Sequence, residues 1–146
     1  MLCLGAGLGS GLKILQEKYQ VFPSATLVDI DQDVLAWSQE YMSLNTKQNV
    51  MWIQQDALEF LHTSETKYDL IMIDLFIDLK MPHFVKNEEF LDATLTQVQA
   101  KGVVIFNTVF EQKIVQNRFE NTLNQKFYQV EKMYLKLNSI YVCIAF

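Results

Sequence analysis

Four of the five glycines in the chain fall within residues 5–11, in the run GAGLGSG. Glycines at that density free a backbone to turn left-handed and to pass close to a ligand. The run stands between a short apolar segment, MLCL, and a helical pattern. A helix N-terminus there offers unpaired N–H groups to a negatively charged ligand. A tight strand-to-helix turn alone would need one or two glycines, so the run reads as a cofactor loop. The phosphate-binding Walker pattern is excluded, because no Lys-Ser/Thr pair follows the glycines. The dinucleotide pattern GxGxxG nearly fits from Gly5, but Ser10 holds its third glycine position, and it stays as a lesser alternative.

Three aspartates extend this chemistry. Asp29 lies twenty positions after Gly9, at the end of the apolar run ATLVDI. A carboxylate there accepts from both ribose hydroxyls of a nucleoside cofactor. Asp31 beside it reads as a helix N-cap, and Asp33 as a first-turn acid that favours the helix dipole. Asp56, in QQDALEF, either caps a helix or accepts from the exocyclic amine of an adenine. Asp74 terminates the buried run LIMID, next to the point where open α/β sheets bind ligands. A carboxylate in such a place is costly unless used, which makes Asp74 the candidate reactive residue. His83 follows Pro82 in a loop; its pKa would suit a general base, but a lone loop histidine reads first as a surface residue. His62 reads as a dipole partner at a helix end. Cys3 and Cys143 stand singly in apolar runs and read as buried free thiols, with neither zinc nor disulfide spacing. No metal site is expected.

The elements that position these residues follow from periodicity. Strands are expected at residues 1–4, 25–30, 50–54, 68–75, 103–107, 127–135 and 139–146. Helices are expected between them. One carries Leu12, Leu15 and Tyr19; one carries Val34 to Met42 behind Asp31; a short one covers Ala57–Leu61; one carries Phe90, Leu91, Leu95 and Val98 and ends before Gly102; the last covers Phe110–Lys126. The fourth strand is almost continuously apolar, as expected where helices cover both faces. Alternating β and α with right-handed crossovers gives a doubly wound, mostly parallel seven-stranded sheet. The connection between the last two strands is too short for a helix, so they form an antiparallel hairpin. The expectation is one α/β domain over residues 1–146.

Composition narrows the partners. Half of the 146 residues are hydrophobic and 20% are charged, which excludes a disordered chain. A net charge of −5 leaves no basic field for a phosphate backbone, so nucleic acid is not an expected partner. No apolar run approaches the length of a membrane span, and the expectation is a soluble, cytoplasmic protein.

The succession GAGLGSG, TLVDID, QQDALEFL, YDLIMIDLF and KGVVIFNT resembles the class I fold of methyltransferases that use S-adenosylmethionine (SAM). More narrowly, it is similar to the spermidine-synthase-like branch of that Rossmann-like fold. The resemblance implies that Gly5, Gly7 and Gly9 surround the methionine part of the cofactor. It puts Asp29, with Ile30, at the ribose, and Asp56 and Ala57 beside the adenine. It gives Asp74 the aspartate that binds and helps deprotonate the amine in aminopropyltransferases and orients the nucleophile in methyltransferases. The departures bear on substrate. Where spermidine synthases carry an acid in the glycine loop this chain has Leu8, and where they carry a second acid after the fourth strand it has Ile77, with Asp78 one step later. The N-terminal β-domain of spermidine synthases has no counterpart in this sequence, which starts on the first strand.

The expectation that follows is a methyltransferase moving a methyl group from SAM to a small-molecule or protein acceptor. The alternative is a spermidine-synthase-like aminopropyltransferase using decarboxylated SAM, and the missing acids predict that it would be a poor spermidine synthase. A further alternative is a non-catalytic SAM-binding partner domain. The helix that lids the cofactor in class I methyltransferases is expected from a partner or from an upstream segment, or the site is open; the partners expected are a lid-supplying one or a second copy of the chain.

Overall fold

A computed structural model describes residues 1–42, 49–110 and 112–146. Strands β1 (Leu2–Leu4), β2 (Ala25–Asp29), β3 (Val50–Gln54), β4 (Tyr68–Ile73), β5 (Val98–Thr108), β6 (Gln129–Leu135) and β7 (Asn138–Ile144) form one sheet. Their order is β3-β2-β1-β4-β5-β7-β6. The first five pair in parallel, while β7 runs antiparallel to both β5 and β6. The order reverses beside β1, so the C-terminal ends of β1 and β4 diverge into the crevice that such sheets use for ligands.

Side chains alternate across the strands, and the two faces take different helices. Val28, Leu2, Leu4 and Ile73 join one large core with Phe60 and Leu61 of α3 (Ala57–Thr63), Phe90 and Leu91 of α4 (Glu88–Gln97) and Phe119 and Leu123 of α5 (Lys113–Lys126). Leu27 and Ala25 turn the other way and pack with Leu12 of α1 (Ser10–Tyr19) and Leu35 and Met42 of α2 (Gln32–Met42). On that second face Ile105, Ile140 and Val142 stay partly exposed, outside both cores. Helices therefore sandwich β1 and β2, while β5 and β7 are fully covered on one face.

The structure corrects several expected boundaries. Val98 leaves the helical stripe and opens β5, pairing with Tyr68, because a buried ladder position suits it as well as the helix face does. The register then jumps to Leu70 opposite Val103, so Gly102 lies within β5 rather than ahead of it. Phe110 stays outside α5 and stacks its ring against Phe119 and Tyr141; Glu111, which the expected helix included, lies outside the described residues. A two-residue turn with Lys136 at φ 50° closes the β6–β7 hairpin. Cys143 is buried and Cys3 only partly so, both as free thiols. No helix among the described residues is long and apolar enough to cross a membrane.

Candidate active site

The glycine loop begins where β1 ends. Gly5 sits at φ 81°, and a Cβ there would stand 2.3 Å from the Asp74 carbonyl oxygen, so only glycine lets the loop cross the end of β4. Gly7, at φ 47°, has open space where its Cβ would be, and its N–H donates to Asp29 Oδ2 at 3.4 Å. Gly9 has a different duty. Its φ of 71° starts α1, and its missing side chain makes room for Ser38 and Met42 of α2.

A cleft of about 420 Å³ opens above these strand ends, and Gly5, Gly7, Asp29, Ile30, Asp56, Ala57 and Asp74 all line it. The structure thus brings together every expected site residue except Gly9. Asp29 is held from below, since its Oδ1 also accepts from the Asp31 N–H at 3.1 Å. Asp31 Oδ1 in turn caps α2 by accepting from the N–H groups of Asp33 and Val34. Of the two tasks between which the sequence left a choice, Asp56 performs the capping one. Its Oδ1 accepts from Leu58 and Glu59 and so caps α3, and the residue still lines the cleft.

Asp74 stands one residue beyond β4, where its N–H still donates to the Leu4 carbonyl at 2.9 Å. Its Oδ1 accepts from the side-chain amide of Asn107 at 2.8 Å, and the Asn107 oxygen accepts from Asn138 at 2.7 Å. Oδ2 takes no hydrogen bond among the described residues. The carboxylate is therefore fixed in orientation by the ends of β5 and β7 and keeps one oxygen for a ligand. Cys3, on the strand between Asp29 and Asp74, is no nucleophile. Burial pushes its thiol up to about 12, and the charges of Asp74 and Asp29 add to the shift.

The loop after β4 is ordered by a small hairpin. Ile77 and Lys80 exchange backbone hydrogen bonds of 2.9 and 3.1 Å around Asp78, whose φ is 55°. Asp78 and His83 face a second cavity of about 500 Å³, which shares Ile77 and Pro82 with the cleft. Neither residue lines the first cleft. His62 ends α3 as expected and lies 3.4 Å from Glu89, away from both cavities.

Sequence reasoning missed Gln55, Phe76 and Phe84 on the cleft wall, and the two asparagines behind Asp74. Asn107 is the last residue but one of β5, beside Asp74, so the strand-end rule that found the aspartates would have found it too. Asn138 had no signal, because its place depends on the hairpin register.

The profile of the spermine/spermidine synthase domain matches residues 1–144. The chain belongs to that family. It is 28% identical over 106 residues, 73% of its length, to a "probable polyamine aminopropyl transferase" of Bifidobacterium longum, and spans 23% of that relative. Two solved structures share its fold. The human methyltransferase-like protein 13 in complex with SAH superposes with a TM-score of 0.85 at 19% identity, covering 99% of this chain and 71% of that one. A "probable spermidine synthase" of Corynebacterium glutamicum gives 0.83 at 18%, covering 98% and 55%. The domain has a Rossmann-like, methyltransferase-type α/β fold of the spermidine-synthase-like branch, and it spans about a quarter of the length of the curated Bifidobacterium longum relative.

Proposed function

We propose that this domain transfers the aminopropyl group of decarboxylated SAM to an amine held at Asp74. The observation that carries the reading is the Asp74 carboxylate, tied through Oδ1 to Asn107 and lining the same cleft as Asp29 and Asp56. The family match and the aminopropyl transferase relative favour this over methyl transfer, which reverses the order expected from sequence.

The cleft suits a nucleoside. Its volume, the open cradle over Gly7, and the acids Asp29 and Asp56 at two strand ends match a ribose and an adenine. When bound, decarboxylated SAM supplies an electrophilic carbon whose C–S bond breaks as the C–N bond forms, releasing methylthioadenosine and a proton. Asp29 would hold the ribose hydroxyls through the second lone pairs of its two oxygens, and Asp56 the adenine amine through Oδ2, which its cap leaves over. Asp74 Oδ2 would accept a hydrogen bond from the acceptor amine, align its lone pair, and take up the proton. The Asn107 amide holds that carboxylate still, so alignment costs little at the moment of reaction.

Methyl transfer remains the second reading because Leu8 and Ile77, 47% and 69% exposed, stand where polyamine enzymes carry acids. Incubation with an amine panel and either SAM or decarboxylated SAM, with mass detection, separates the two. Aminopropylated product and methylthioadenosine are expected. Methylated product, with decarboxylated SAM left intact, would overturn the reading.

A further inference from the structure

The wall of the second cavity carries a charge pattern that a diamine does not match. Asp78 stands at the junction with the nucleoside cleft, next to Ile77. Further along the loop the charged residues are Lys80 and Lys86, with His83 between them, and the rest of the lining includes the apolar Met81, Phe110 and Val115. Lys86 is partly buried on the 3-10 turn His83–Lys86 and makes no ion pair among the described residues. Its ammonium lies 6.0 Å from the centroid of the Phe110 ring, on the opposite wall.

A partly desolvated ammonium beside apolar surface is a place where a ligand anion gains more than in open water. A second ammonium is disfavoured there by the same field. At the other end, Asp74 and Asp78 favour an amine. We propose that the acceptor is an amine carrying an anionic group, such as a carboxylate, across a short apolar spacer. The amine faces Asp74, and the anion faces Lys86, with His83 as a further hydrogen-bond donor. The assignment of the amine end rests on the aminopropyl-transfer reading, whereas the anion site rests on the cavity alone. The anionic group takes no part in bond making, so the balance of the transfer is unchanged.

The test is equilibrium binding of two amines of matched length to the full chain saturated with methylthioadenosine. 4-Aminobutanoate should bind about tenfold more tightly than 1,4-diaminobutane, the worth of one charge-assisted hydrogen bond. Lys86→Met, which keeps most of the apolar stem, should erase the preference, and Lys86→Glu should reverse it. Equal or tighter binding of the diamine by the unmodified chain, or no binding of either amine, overturns the anion site without recourse to any variant. An order of affinities unmoved by Lys86→Glu in a folded protein overturns it as well. Binding of the amino acid without aminopropylated product from decarboxylated SAM would leave the anion site standing and remove the aminopropyl-transfer reading.

Discussion

Asp29 and Asp78 are both acids at the C-terminal edge of the sheet, and they are held in different ways. Asp29 ends β2 in register with Gln54 and takes backbone hydrogen bonds from Gly7 and Asp31. Asp78 rides a four-residue hairpin whose only ladder is the Ile77–Lys80 bridge. The side of the edge proposed to take the nucleoside is thus written into strand ends, glycine dihedrals and helix caps. The side proposed to take the acceptor is written into a loop that leaves Ile77 69% and Leu79 86% exposed. One half of the site is positioned by the sheet itself, and the other half can change its side chains without disturbing the fold.

The division is most open to attack at Gly5. Gly5→Ala would put a methyl group 2.3 Å from the Asp74 carbonyl and demand a left-handed backbone of alanine. The strain and overlap should cost about 3 kcal/mol or more. Chemical denaturation should show the loss, and nucleoside binding in calorimetry should vanish with it. A stable, binding-competent variant would mean that the loop is not locked to the end of β4.

Asp74→Asn comes next. It keeps the shape and the partner Asn107 but removes the charge and the proton acceptor. Turnover should fall about a hundredfold, in the range of lost general-base assistance, with methylthioadenosine affinity within about twofold of the unmodified chain. Equal losses in affinity and turnover would place Asp74 on the nucleoside side of the division instead.

Asp29→Ala tests the opposite case. Its effect should be confined to nucleoside affinity, weaker by about 1.5–3 kcal/mol, as for hydrogen bonds to a charged group. Amine affinity should not change. An unaltered nucleoside affinity would move the cofactor away from β2.

The same division decides what could be read before the structure. Gly5, Asp29 and Asp56 were legible because parallel strands force their loops to one edge, where dihedral freedom and free carboxylates have few other uses. The mostly parallel sheet and its antiparallel last pair followed from the alternation of elements and the short last connection. Val98 was misplaced because its spacing from Leu91 and Leu95 fits a helix, and only the ladder to Tyr68 decides otherwise. Phe110 was misplaced because an aromatic next to a helical run looks like its first turn, whereas the ring fills a cluster with Phe119 and Tyr141. The Asp74–Asn107–Asn138 chain joins three strands, and no local pattern encodes such a contact. The turn that aims Asp78 into the second cavity was equally hidden, since neither Asp78 nor its neighbours announce a positive φ.

A control for the whole comparison lies away from both cavities. Glu120 on α5 accepts from Tyr141 at 2.8 Å and pairs with Lys132 of β6, and Gln116 also donates to Tyr141, at 3.2 Å. Burial opposes the charge on Glu120, but hydrogen bonds from Lys132 and Tyr141 and the charges of Lys132 and Lys113 outweigh it and hold the carboxyl below its usual range. A carboxyl depressed in the folded state stabilises the protein above its unfolded pKa, and that share is lost as pH falls through the folded value. Glu120→Gln should therefore cost about 1–2 kcal/mol at neutral pH and flatten the acid limb of a stability profile measured by denaturation. Lys132 works in the other direction. Burial opposes its charge too, yet its bonds to Glu120, Tyr134 and Tyr141 raise its pKa, so its share is present below the unfolded value and disappears only in alkali. Glu120→Gln should not alter nucleoside or amine affinity in the folded protein, because no member of this network lines either cavity. A change in either affinity would mean that the α5 side of the sheet couples to the site through β7 and Asn138, and the two halves of the edge would then not be independent.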